Sequence, residues 1–378
     1  MKILYVAYLD LKEESFAGVK KKIESQIKAF IKLKNEVNLL YISDEKICIK
    51  GKVEYEKNVK KGISNYRKAV YQEIINLSQD YDMIYIRFPG VMDFYTYQLI
   101  KKMCEKGIKC ILEVPTYPIK GEYEKVLNTY WKEKKYIQYI KRILVYVMHY
   151  YYSNKLHKTN LKIVTYMPYD TIWKIPTVII DNGVDTSQIN KVEPKNHDTF
   201  NLTVVANVNI WHGVDRLISG LAEFAKEKNI KDIKIKIAGV GPEIKKLKKL
   251  VTSKGLENNV EFLGLLQNEE LDELYNITDV AISSLGMHRI HVNNGSTIKT
   301  KEYCSKGIPF VLAYNERLLQ DDFPYALKLP ATEEPIDIEK IMQFYNRLQD
   351  CDYRDEMHKF AIKNYDWNVQ VEKILENI

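Results

Sequence analysis

No run of apolar residues in this chain of 378 residues reaches the roughly 20 that a bilayer-spanning helix needs. The short apolar run Lys2 to Tyr8 is followed at once by acidic residues, which is the pattern of a first strand rather than of a secretory signal. Five cysteines, Cys48, Cys104, Cys110, Cys304 and Cys351, are scattered, odd in number and without metal-type spacing. A disulfide scaffold is thereby disfavoured, and a reducing cytoplasm fits best. No Gly-x-Gly-x-x-Gly follows the first strand, which disfavours a nicotinamide enzyme. No recognisable nucleic-acid module accompanies the formal net charge of +7, so nucleic acid is not expected as a partner.

What is present is long enough for two domains. Strand-like runs alternate with helical patterns from end to end: Lys2 to Tyr8, a helix from Val19, Glu36 to Ile42, a helix around Ser64 to Ser78, Met83 to Phe88, Val91 to Lys106 and Ile108 to Val114. A second series begins with Phe200 to Ala206 and continues through Ile233 to Ala238 and Asn259 to Leu263 to Val280-Ala281-Ile282. This cadence is that of parallel sheets with helices on both faces. The fold class expected is α/β, two tandem doubly wound Rossmann-like domains with a cleft between them. Residues 1–185 are assigned to an N-terminal, acceptor-side domain and 186–362 to a C-terminal, nucleotide-sugar-binding domain. Residues 363–378 are read as a final helix packing back on the first domain.

The stretch Ser283 to Tyr314 organises the second domain. A strand end leads into a polar loop with Arg289, His291, Asn293 and Asn294, and a helix opens somewhere between Asn294 and Thr297 on small polar residues. Gly307 and Pro309 close that helix before the strand Phe310 to Ala313. A helix N-terminus aimed at a loop suits an anion. Gly295, Lys299 and Glu302 share a helical face by their spacing, which presents an ammonium and a carboxylate together. A nucleotide sugar offers a diphosphate to the one and hydroxyls to the other; an ordinary surface ion pair has the same spacing.

Other strand ends carry further candidates. Gly239-Val240-Gly241-Pro242 permits close backbone approach, and Asn207 to Gly213 forms the loop with Trp211 and His212. Gly18 stands before the first helix, as a ligand-approach or a plain turn glycine. Glu113 and Tyr117, after the strand ending at Val114, are the acceptor-side candidates, with a proline-stiffened structural loop as the alternative. From Tyr123 to Lys158 the chain is dense in Tyr, Lys and Arg, which reads either as an interfacial helix or as a buried helix with a solvated basic face.

The order of Gly18, Asn182-Gly183-Val184-Asp185, Trp211-His212-Gly213, Gly239-Val240-Gly241-Pro242, Asn294 to Pro309 and Trp367 resembles that of retaining glycosyltransferases of the GT-B fold, family 4-like enzymes of bacterial polysaccharide and glycoconjugate assembly. The departures are Asn294 where that family usually has a Glu, and Asn207 and His212 where it has Arg and Lys. The resemblance implies transfer from a nucleoside-diphosphate sugar, UDP-sugar favoured, to a glycan or lipid-linked saccharide. It implies Arg289, Lys299 and Glu302 as the catalytic set. Gly18, Asn207, His212, Gly239, Gly241, Asn294, Gly295, Ser296 and Thr297 would hold the donor. No Asp-x-Asp cluster points to a bound divalent metal, and neither a metal nor another cofactor is expected. The location implied is cytoplasmic, peripheral at the inner face of the cell membrane and in contact with anionic lipid. Two alternatives stand beside this: a GT-B scaffold that has lost its chemistry, and another nucleotide-sugar enzyme such as an epimerase.

Overall fold

The structure is a computed structural model that describes all residues except 14, 15, 52, 53, 61, 268, 318, 320, 321 and 322. The chain divides into two compact units, Met1–Asp181 with Trp367–Ile378, and Asn182–Asp366.

The first unit is built on a sheet of nine strands. In chain order these are β1 (Lys2–Asp10), α1 (Ala17–Lys32), β2 (Glu36–Ser43), β3 (Lys46–Lys50), β4 (Tyr55–Asn58), α2 (Ile63–Leu77), β5 (Met83–Arg87), α3 (Phe94–Glu105), β6 (Lys109–Val114), α4 (Lys120–Lys132), α5 (Tyr136–Ser153), β7 (Leu161–Thr165), β8 (Thr171–Ile172) and β9 (Ile175–Ile179). The sheet order is β4-β3-β2-β1-β5-β6-β7-β9-β8, parallel from β2 through β9, with antiparallel additions at both edges. Central strands covered on both faces need continuous apolar sequence rather than alternation, and Ile3 to Ala7 are all fully buried. The short antiparallel strands β3, β4 and β8 carry no comparable run, which is why periodicity alone passes over them.

The second unit runs β10 (Phe200–Val205), α6 (Val214–Phe224), β11 (Ile233–Ala238), α7 (Ile244–Lys254), β12 (Val260–Gly264), α8 (Glu269–Asn276), β13 (Val280–Ile282), β14 (Asn294–Gly295), α9 (Ile298–Lys306), β15 (Phe310–Leu312), β16 (Asn315–Glu316), β17 (Ala326–Lys328), α10 (Ile338–Leu348) and α11 (Tyr353–Tyr365). Its six-stranded sheet has the order β12-β11-β10-β13-β15-β17, with every pair parallel. The chain winds outward from β10 in one direction, then restarts at β13 on the other side. Loops leaving the C-terminal ends of the paired strands β10 and β13 therefore start side by side at this switch point, which is where open α/β sheets take their ligands. Helix α6 is held by Val214, Leu217, Ile218 and Leu221, a buried stripe at helical spacing.

After α11 the chain re-enters the first unit as α12 (Trp367–Glu376), where Trp367, Val371 and Ile374 join the core beside Ile3, Tyr5 and Phe30.

Candidate functional site

The two loops at the switch point of the second unit are zipped together. Leu285 donates its backbone N–H to the carbonyl of His212 at 3.0 Å, and Gly286 donates to that of Trp211 at 3.0 Å. Between them sits Gly213 at φ +61°, where a Cβ would lie 2.7 Å from the backbone carbon of Leu285. Only glycine allows both the left-handed turn and this approach. The Trp211-His212-Gly213 sequence is thus the hinge that lets the β10 loop lie against the β13 loop.

His212 is buried, and its Nδ1 accepts the backbone N–H of Asn209 at 2.9 Å. The ring hydrogen therefore resides on Nε2, which is left as a donor. Burial, together with the nearby charge of Lys299, pulls His212 down to about 3, so the imidazole is neutral across the physiological range.

Lys299 is the second residue of α9, in its first turn. Its stem is partly exposed, but Nζ is closed off from solvent and has no hydrogen-bond partner among the described residues. Burial lowers its pKa to about 7, against the opposing pull of Glu302, three residues along the same face. An ammonium without a partner in a dry place is costly unless something negative arrives. Lys299 is within electrostatic reach of both His212 and Glu302, and this is the part of the predicted set that the structure brings together.

Arg289 is turned to another task. Its Nη1 and Nη2 grip Asp215 at 2.8 Å each, Nε and Nη2 reach Glu333 at 3.0 and 2.6 Å, and Nη1 also donates to the carbonyl of Ile210 at 3.1 Å. All of its donors are engaged, and these carboxylates hold its pKa above the ordinary arginine value. The expectation that Arg289 meets the diphosphate is corrected: two acidic residues far away in sequence neutralise it and make it a clamp.

The helix start falls at the end of the expected stretch, but Gly295 lies outside the helix and does not share its face with Lys299 and Glu302. Asn294 and Gly295 form β14, paired with β16, and α9 opens at Ile298 with Thr297 as its N-cap. The N–H of Thr297 is taken by the carboxylate of Glu316 at 3.2 Å. Glu316 is buried and also accepts from Thr300 at 2.8 Å, from Tyr314 at 3.2 Å and from the buried ammonium of Lys301. The protein's own carboxylate thus occupies part of the helix terminus that the sequence offers to a phosphate. Ser296 accepts at its carbonyl from the side chain of Asn182 at 2.7 Å, and the side chain of exposed Asn294 accepts from Asn315 at 3.0 Å.

Gly239 and Gly241 have a structural reason to be glycine. At φ +127° and +151°, a Cβ on either would meet the carbonyl of Ala206 or Val208 at 1.9 or 2.3 Å. They allow the β11 loop to pack on the β10 loop, which carries exposed Asn207. In the first unit, Gly18 lies exposed in the first turn of α1 with open space where a Cβ would be.

Glu113 is fully buried. It is paired with Arg87 and accepts from Tyr85 at 2.7 Å and from Gln26 at 2.8 Å. Burial pushes its pKa up, but Arg87, Lys22 and these hydrogen bonds outweigh it, and the carboxyl titrates below its ordinary value. A carboxylate so enclosed is a core anchor, which corrects the acceptor-side expectation for Glu113. Tyr117 packs edge-on against Tyr169, with ring centroids 5.1 Å apart. A cavity of about 560 Å³ in the same unit, bordered by Arg67, Asp93, Tyr123, Arg142, Val145 and Met148, escaped sequence reading because its walls come from four separate helices and a loop.

Residues 185–315 match the family model of glycosyl transferases group 1. No curated protein matches the chain in sequence. Among solved structures, a glycosyltransferase from Rickettsia africae superposes with a TM-score of 0.65 at 15% identity, covering 99% of this chain and 97% of that one. The Anabaena protein HepE in complex with UDP gives 0.63 at 13%, covering 100% of both chains. A sucrose-phosphate synthase from Thermosynechococcus elongatus gives 0.62 at 12%, covering 100% and 98%. With two doubly wound units and superpositions that span the whole chain, the protein has the GT-B fold of these structures, and its similarity to glycosyl transferases group 1 lies in the β10 to β15 region of the second unit.

Proposed function

We propose that this protein is a retaining glycosyltransferase that moves a sugar from a nucleoside-diphosphate sugar, UDP-sugar in the first instance, to a glycan or lipid-linked saccharide in glycoconjugate assembly. The observation that carries the reading is the enclosed ammonium of Lys299, without a partner among the described residues, at the switch point of the region similar to glycosyl transferases group 1. The UDP bound by HepE and the sugar chemistry in the name of the sucrose-phosphate synthase support it by analogy of fold.

In the reaction the bond between the anomeric carbon and the diphosphate oxygen breaks, and the acceptor oxygen forms the new bond on the same face. The acceptor proton passes to the departing phosphate. Lys299 stabilises the charge that grows on the diphosphate, and the Nε2 hydrogen of neutral His212 is a second donor for it. Glu302 takes hydroxyls of the ribose or sugar. No side-chain base is required, because the leaving group accepts the proton. No metal is assigned a role, and the place of action is the cytoplasmic face of the membrane.

A second reading has its own observation. Arg289 and Thr297 are engaged by internal carboxylates, which leaves fewer donors for a diphosphate and favours a GT-B scaffold without catalysis. Thermal shift against UDP, GDP, ADP, CMP and their sugars, with and without EDTA, separates the two. Ligand binding to the native state raises the melting temperature by mass action. An EDTA-insensitive rise with one nucleoside diphosphate supports the transferase; no rise with any of them in folded protein leaves the scaffold.

A further inference from the structure

Helix α5 is rich in apolar and aromatic residues, yet only one side is packed. The inner side is fixed: His149 Nδ1 accepts the N–H of Met92 at 3.0 Å, Tyr146 stacks on Tyr123 with ring centroids 4.6 Å apart, and the Arg142 guanidinium lies 4.2 Å over the Tyr123 ring. The outer side carries Ile137, Ile140, Leu144, Val147 and Tyr151, spaced three and four residues apart, and these are 68, 58, 58, 58 and 53% exposed. A surface helix of a globular domain ordinarily turns polar residues outward. A contiguous exposed apolar stripe of this kind marks an interaction site.

Charge selects the occupant. Between residues 134 and 160 the charged side chains are Lys134, Lys135, Lys141, Arg142, Lys155 and Lys158, with no Asp or Glu among them. A second copy laid along the stripe would set cations against cations, with no carboxylates on the helix to pair with them. An anionic surface complements them instead. At the N-terminal end of the helix, exposed Trp131 packs edge-on on Tyr136 with centroids 5.6 Å apart. Tyr136, Tyr150 and Tyr151 are exposed as well, and amphipathic rings of this kind suit the headgroup level of a bilayer. Among the described residues no helix is long and apolar enough to cross a membrane, so the helix lies in the interface rather than through it.

We propose that the outer face of α5 docks the protein on a bilayer containing anionic phospholipid, with Ile137, Ile140, Leu144, Val147 and Tyr151 entering the acyl boundary and the flanking cations meeting headgroup phosphates. This rests on the first unit alone and not on the donor-site reading.

The test is co-sedimentation of the full chain with vesicles of phosphatidylcholine, pure or mixed with phosphatidylglycerol. Binding to the mixed vesicles is expected to exceed binding to the neutral ones and to weaken with salt. Leu144→Asp should lower partitioning at least about tenfold, and Lys141→Gln about fivefold. Each should keep the parent's melting temperature within about 2 °C, since both side chains are exposed. Equal partitioning of Leu144→Asp and parent overturns the proposal, as does equal binding to neutral and anionic vesicles. A dimer in light scattering that Leu144→Asp converts to monomer overturns it too, by assigning the stripe to a second copy. Nucleotide binding is no part of the readout, so either reading can fail without the other.

Discussion

Arg289 and Asp215 meet fork to fork, with both nitrogen–oxygen contacts at 2.8 Å, so that the loop after β13 is clamped to the first turn of α6. Glu333 closes on the same guanidinium from a third segment. The loop that leads to Lys299 therefore has one of its ends fixed by an ion-pair network.

Arg289→Lys keeps the charge and loses the fork. Because both carboxylates are substantially exposed, the expected cost is only about 1 kcal/mol in urea unfolding. Affinity for a nucleoside diphosphate should stay within about threefold of the parent, less than 1 kcal/mol. A large loss of affinity at unchanged stability would return Arg289 to the phosphate site.

Lys299→Met should act in opposite directions on stability and binding. Removing an enclosed ammonium without a partner raises the melting temperature, while the loss of a charge-assisted contact lowers nucleoside-diphosphate affinity by about 10- to 100-fold. Calorimetric titration and thermal melting on the same preparation read both. An unchanged affinity sinks the phosphate assignment.

The pH dependence follows from the same group. Between about 7 and the ordinary value of 10.5, the unfolded chain holds a proton that folded Lys299 has released. Its contribution therefore makes stability rise with pH across that window, and its burial penalty is full below about 7. A bound diphosphate restores the proton, so binding at about pH 8 takes up a fraction of one proton per site and weakens as pH rises further. Titrations in buffers of different ionisation enthalpy measure the uptake, which Lys299→Met should abolish.

The buried pairs predict stability effects. Glu316→Gln removes the carboxylate that pairs with fully buried Lys301, at an expected cost of about 3 kcal/mol, and the double variant with Lys301→Met should recover most of it. Glu113→Gln should cost about as much by stranding Arg87. Since Glu113 titrates below the usual glutamate value, the stability it contributes is present above that value and lost as pH falls through its lowered one. Urea unfolding of these variants at neutral and acid pH checks both.

The parallel cores, the switch-point loops and the Lys299–Glu302 face were legible in the sequence, because continuous apolar runs and three- and four-residue spacings are local properties of the backbone. The roles of Arg289, Glu316 and Glu113 were not. A charged residue in a loop or at a strand end looks available for a ligand until the residues that neutralise it are known, and here they come from 74 residues away for Asp215 and 26 for Arg87. Chain order alone determined that two doubly wound units form and where their ligand loops leave the sheets. Tertiary packing decided which of the charges in those loops are already satisfied by the protein and that Lys299 is not, because pairing depends on distance in space and the cost of leaving a charge unpaired depends on burial.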